Sequence, residues 1–177
     1  VVNGSVLSFD KMTRTAFILS YLANVLLALV SLAILPERVA IHFGLGGMPD
    51  NWAASLTNTL FLIGLQTFLF LSLYFSPRLA GIVPAKWVNL PNKEFWLAPE
   101  NRARFQAKFS ALMHPFGIAL FVFLFLVGLL SIQANLSDPI RLNERPLFVL
   151  LALFLAFSLV WCLVFFRRLR MPTPRNS

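Results

Sequence analysis

The chain has 177 residues, 58% of them hydrophobic and only 12% charged, with a formal net charge of +8. A soluble domain carries about twice that charged fraction, so the composition excludes an ordinary water-soluble fold. The lone cysteine, Cys162, excludes an intrachain disulfide and is read as a small packing residue.

Residues 1–15 form a short polar segment carrying Lys11 and Arg14. Four apolar stretches follow, at 16–35, 56–75, 116–134 and 147–166, and none contains Asp, Glu, Lys, Arg or His. A bilayer core about 30 Å thick needs roughly 20 such residues in a helix. The expected fold class is therefore all-α: an integral membrane protein with four transmembrane helices in one domain over 16–166, plus an interfacial amphipathic helix.

Span one carries Ala16, Ser20, Asn24 and Ala28 at a spacing of four. That spacing predicts a small-residue face for close helix packing, with Asn24 hydrogen-bonding across it. Ala152 and Ala156 predict a similar seam in span four. Ser31-Leu32-Ala33 has the small-x-small spacing of a cleavage site, but the apolar run continues to Leu35 and favours a retained anchor. Pro36 then ends the helix, because it lacks the backbone donor.

The first loop runs over 37–55. Ile41, His42 and Phe43 read as a short extended piece, and Gly44, Gly46 and Gly47 as a turn. Two arrangements of His42 and Asp50 compete. In one, a hairpin-like fold pairs imidazole with carboxylate. In the other, which local signals favour, Asp50 caps a helix beginning near Trp52 and His42 bonds to loop backbone. Only Glu37 offers a third ligand, so no metal site is expected. The glycine run lacks the Lys-Ser/Thr ending and the strand–helix context of a phosphate loop.

The second loop, 76–115, is the longest polar segment. Trp87, Phe95 and Trp96 suit a membrane interface. Pro99 and Glu100 suit the first turn of a helix. From there Phe105, Phe109, Leu112 and Phe116 recur on one face, which predicts the amphipathic surface helix. His114, next to Pro115, reads as an interface residue. The tail, 167–177, is basic, and its last residues, 171–177, read as disordered.

Of the fifteen Lys and Arg residues, twelve fall in the N-terminal segment, the second loop and the tail. Only Arg38, Arg141 and Arg145 lie in the first and third loops. This positive-inside asymmetry predicts a multi-pass membrane protein with both termini and the second loop in the cytoplasm. The basic charge is thereby assigned to topology and lipid headgroups, and no nucleic-acid partner is expected. The spans offer only amides, chiefly Asn24, Gln66, Gln133 and Asn135. Ion-coupled transport and intramembrane catalysis call for ionisable groups at depth. No enzymatic activity, catalytic residue or cofactor is expected.

Two segments carry a family resemblance. The first runs from Leu35-Pro36-Glu37-Arg38 through His42 to Gly47-Met48-Pro49-Asp50-Asn51-Trp52. The second is Asn89-Leu90-Pro91-Asn92-Lys93-Glu94-Phe95-Trp96-Leu97-Ala98-Pro99-Glu100. The first resembles the signature of the bacterial membrane family called domain of unknown function 1648. The second is similar to the cytoplasmic loop of its four-span members. SdpI-like relatives protect their producer from a secreted peptide toxin and hold a repressor at the membrane.

The resemblance implies motif positions Pro36, His42, Gly47, Pro49, Asp50 and Trp52 outside. It implies Asn89, Pro91, Asn92, Trp96 and Glu100 inside. The expected function is a non-enzymatic sensor- or immunity-like protein of the lipid bilayer, with a peptide or membrane-protein partner, whose outward loop over 42–52 meets a peptide or small ligand near the membrane surface. The alternatives are a subunit of a larger membrane complex, or a neutral-solute transport component. Transport would require Asn24, Gln66 and Gln133 to converge on one cavity.

Overall fold

The computed structural model describes residues 4–170; the 171–177 tail and the disorder expected of it lie outside the described residues. Four long helices form the frame: α1 (Gly4–Ile34), α2 (Ser55–Ile82), α4 (Arg102–Leu136) and α5 (Glu144–Arg168). Each holds a window with mean hydropathy between 1.7 and 2.9, long and apolar enough to cross a membrane. Their outward faces are apolar too. Leu26, Phe61, Phe68, Leu153 and Leu159 are all more than 60% exposed, which in water would be an aggregation hazard and in lipid is the matched surface. The protein is a multi-pass membrane protein.

Helices α1, α2 and α4 pack on one another, and α5 packs on α4. The α1–α4 seam follows the stripe read from the sequence. Ala28 and Asn24 are buried, and Asn24 Nδ2 donates to the Ser20 carbonyl at 2.9 Å and to the Phe121 carbonyl of α4 at 2.8 Å. Phe17, fully buried, fills the space left by Gly117. A Cβ at Gly117 would lie 2.2 Å from the Phe17 ring. The ring also packs against Phe70 and Phe121, with centroids 5.0 and 5.8 Å away.

The span-four seam is different. Ala152 and Ala156 are exposed, and α5 meets α4 through aromatic side chains instead. Trp161 packs on Phe116 at 4.5 Å and Phe154 on Phe123 at 4.7 Å. The Trp161 indole donates to the Leu112 carbonyl at 2.9 Å. Large rings win this contact because they bury more area than alanine methyls.

The loops on the two ends are built differently. At one end β1 (Arg38–Phe43) and β2 (Pro49–Ala54) form an antiparallel hairpin. The chain thus adds a small sheet to the expected all-α frame. Asp50 lies in a strand and does not cap a helix; α2 begins at Ser55, not near Trp52. Pairing with β1 consumes the residues whose local signals resemble a helix start.

At the other end, α3 (Lys93–Leu97) tucks beneath α4. Pro99 and Glu100 sit in the turn before α4, whose first residue is Arg102 and whose N-cap is Asn101. The amphipathic stretch does not form a separate surface helix. It is continuous with span three through Pro115, giving one helix of 35 residues. At 1.5 Å per residue that is about 50 Å, far longer than the hydrocarbon core, so its first turns project beyond it.

Candidate functional site

Pro36 is exposed in the three-residue link between the end of α1 and β1. From there the hairpin register runs Arg38 opposite Ala54 and Ala40 opposite Trp52. It then shifts so that His42 faces Asn51 and Phe43 faces Pro49. The two irregularities leave Ile41 and Asp50 out of the pairing. Such bulges re-aim side chains, and here the result is a contact: His42 Nδ1 and Asp50 Oδ1 lie 2.5 Å apart. The arrangement that local signals disfavoured is the one the fold adopts.

The tip is shaped by glycines. The Gly44 N–H donates to the Met48 carbonyl and the Gly47 N–H to the Gly44 carbonyl. Gly46 and Gly47 both adopt left-handed φ values, +74° and +72°, a region costly for side-chain-bearing residues. Gly44 has a second role. A Cβ there would approach Asp50 Oδ2 to 2.9 Å, so the missing side chain leaves room for the carboxylate.

The hairpin is clamped to the bundle by polar contacts that no local pattern announces. Asn135 of α4 is buried; its Oδ1 accepts from the Ala40 N–H at 2.7 Å, and its Nδ2 donates to the Ala40 carbonyl at 3.0 Å. One side-chain amide thus imitates a neighbouring strand and satisfies both backbone groups of a buried residue. The tip is held separately. The Leu142 N–H donates to the Gly47 carbonyl at 2.9 Å, and Arg141 Nε donates to the Gly46 carbonyl at 2.7 Å. Beside this junction lies an open cleft of about 490 Å³, lined by Gly46, Ser137, Arg141, Asn143 and Arg145 among others.

The side chains of His42 and Asp50 are 67% and 52% exposed. An exposed pair contributes little to stability; its effect is orientation. With the carboxylate on Nδ1, the ring is fixed and Nε2 is left facing solvent as a single directed polar group. The tip of the same hairpin carries exposed apolar side chains, Leu45 at 99% and Met48 at 53%. Pro49 and Trp52 are half-buried in β2. Among the described residues no group of three His, Cys, Asp or Glu gathers in metal-binding reach. The hairpin face can therefore present one oriented imidazole and an apolar knob to a ligand.

Of the second motif, Trp96 joins the core. Trp96 is fully buried, not interfacial; its indole donates to the Leu169 carbonyl at 2.8 Å, and Lys108 Nζ lies 4.8 Å from its ring. With Leu90, Phe105, Leu112, Met113 and Leu169 it makes the core of this end. Asn92 holds a left-handed conformation (φ +54°) at the start of α3, which asparagine tolerates better than most residues. Pro91 is half-buried, and Asn89 and Glu100 are exposed. Trp87 is 74% exposed.

His114 is buried inside the protein at 4% exposure, so its ring does not face lipid. The three amides required for a solute path do not converge: Asn24 is locked between α1 and α4, whereas Gln133 points outward and is exposed.

Among known proteins, no curated protein and no solved structure matches the chain. The family model described as Domain of unknown function (DUF1648) matches residues 19–67, which take in the second half of α1, the whole His42–Asp50 hairpin and the first half of α2.

Proposed function

We propose that this is a non-enzymatic, sensor- or immunity-like protein of the bacterial plasma membrane. In this reading both termini are cytoplasmic, and the hairpin faces outward to meet a peptide at the membrane surface. The topology rests on the twelve Lys and Arg residues gathered in the segments opposite the hairpin. The ligand reading rests on one observation above all: a bulged hairpin, clamped from two sides, holds His42 and Asp50 in contact yet leaves both exposed. Their pairing stabilises little, so the bulge and the Gly44 clearance that produce it are best explained by presentation of the imidazole. The exposed Leu45 and Met48 give a membrane-active peptide an apolar contact next to a directed polar one.

The test is complementation. A bacterial strain lacking the gene is challenged with secreted membrane-active peptides. Restoring the wild-type chain is expected to raise the inhibitory concentration. The double variant His42→Ala, Asp50→Ala is expected to lose about tenfold of that gain, the equivalent of one charge-assisted hydrogen bond. Equal protection by the wild type and the double variant, at equal membrane abundance, contradicts the reading.

A further inference from the structure

At the end opposite the hairpin, α1, α2 and α4 line a half-open polar cavity of about 270 Å³, with Asp10, Arg14, Tyr74, Arg78, Ser110 and His114 among its residues. Two of its polar atoms are buried without hydrogen-bond partners: His114 Nδ1 and Asp10 Oδ1. They lie 3.8 Å apart, too far to bond to each other. An unsatisfied buried polar atom is costly, and two on residues that line one cavity call for an occupant with donors. We propose that this cavity holds the headgroup of an aminophospholipid, a group that carries a phosphate and a primary amine together.

The charges divide accordingly. A primary ammonium has three donors, and Asp10 Oδ1 with His114 Nδ1, as neutral imidazole, supplies two acceptors at a separation it can bridge. Arg14 and Arg78 supply the guanidiniums for the phosphate, with geometry suited to its oxygens. Neither arginine has an ion-pair partner among the described residues. Asp10 and Arg14 sit one helical turn apart on the same face of α1.

Depth in the membrane points to a lipid as the source. Arg14 lies two residues before the first charge-free stretch, Arg78 three after the second, and His114 two before the third. All three therefore stand at headgroup level. This site shares no residue with the hairpin, so its fate is independent of the ligand reading above.

The full chain, extracted in mild detergent, is incubated with equimolar phosphatidylethanolamine and phosphatidylglycerol and examined by native mass spectrometry. Phosphatidylethanolamine is expected to be retained about tenfold over phosphatidylglycerol, the worth of one charge-assisted hydrogen bond. Asp10→Asn is expected to abolish that preference while keeping phosphatidylglycerol binding. The double variant Arg14→Ala, Arg78→Ala, which changes two exposed side chains and should keep the wild-type melting temperature, is expected to weaken both lipids about tenfold or more. Equal retention of the two lipids by the wild type, or undiminished retention by the arginine variant, overturns the proposal. Free O-phosphoethanolamine at equimolar concentration is expected to leave the lipid bound; displacement by it would make the ligand a soluble one and overturn the lipid assignment.

Discussion

Replacing Asn135 by leucine is expected to release the hairpin from the bundle and to lower stability by about 2–4 kcal/mol, since buried backbone groups that lose their partners cost about 1–3 kcal/mol each. The argument lies in what Asn135 replaces. Ala40 and Val39 are both 1% exposed, so β1 is pressed against the helices, and Ala40 turns its N–H and C=O to Asn135. Without the amide, the Ala40 N–H and C=O would face apolar side chains. Nδ2 also donates to the Ser131 carbonyl at 3.0 Å, which fixes the rotamer before the strand arrives.

Asn135→Asp separates the contributions. It keeps an acceptor for the Ala40 N–H but loses both donated bonds, and should be intermediate. Thermal unfolding in detergent reads the stability, and amide exchange at Ala40 reads the release. A leucine variant with unchanged exchange at Ala40 would show that the clamp is dispensable.

The second large effect is expected at Gly47. An alanine there meets two obstacles. Its backbone is left-handed, which costs an L-residue about 1–2 kcal/mol. Its Cβ would fall 2.1 Å from the Leu142 carbonyl oxygen, which is backbone and has no rotamer to yield. The tip must therefore leave the α4–α5 loop, breaking the Leu142 N–H to Gly47 bond.

Gly46→Ala is the internal control. It shares the φ, at +74°, but its Cβ would meet only the flexible Arg141 Nη2 at 3.7 Å. Gly46→Ala should lose about 1 kcal/mol, the strain alone, and Gly47→Ala at least twice that, with protection lost at the Leu142 amide. Equal effects of the two substitutions would mean that the tip is not docked.

The difference between what the sequence announces and what it hides is one of range. The four spans are legible because each is local: 20 apolar residues state their solvent without reference to any other segment. Pro36 and the Asn24 face are legible for the same reason. Asp50 is not, because a short polar residue before an apolar helix reads as a cap, whereas its actual partner, His42, is chosen by strand register across the glycine turn.

Trp96 shows the same limit at larger separation. Aromatic residues in a basic loop read as interfacial, yet its hydrogen bond reaches Leu169, 73 positions away. His114 looks like a boundary residue from its position and is buried because Phe17 and Tyr74 stack around it, with ring centroids 5.8 and 6.5 Å away. Asn135 is visible in the sequence only as a polar residue at the end of a span. Its role appears once α4 is set beside β1, 95 positions earlier. The amphipathic period from Phe105 to Phe116 is real, but periodicity cannot tell a helix lying on the membrane from one continuing into it.

The most direct test is the sidedness of the two ends in intact bacterial cells. In a Cys162→Ser background, which removes the one native thiol, single cysteines replace Leu45 at the hairpin tip and Lys86 in the opposite loop. Both positions are exposed, so access is set by the membrane alone. A membrane-impermeant maleimide is predicted to label Leu45→Cys in intact cells and Lys86→Cys only after permeabilisation. Labelling of Lys86→Cys but not Leu45→Cys in intact cells would contradict the account.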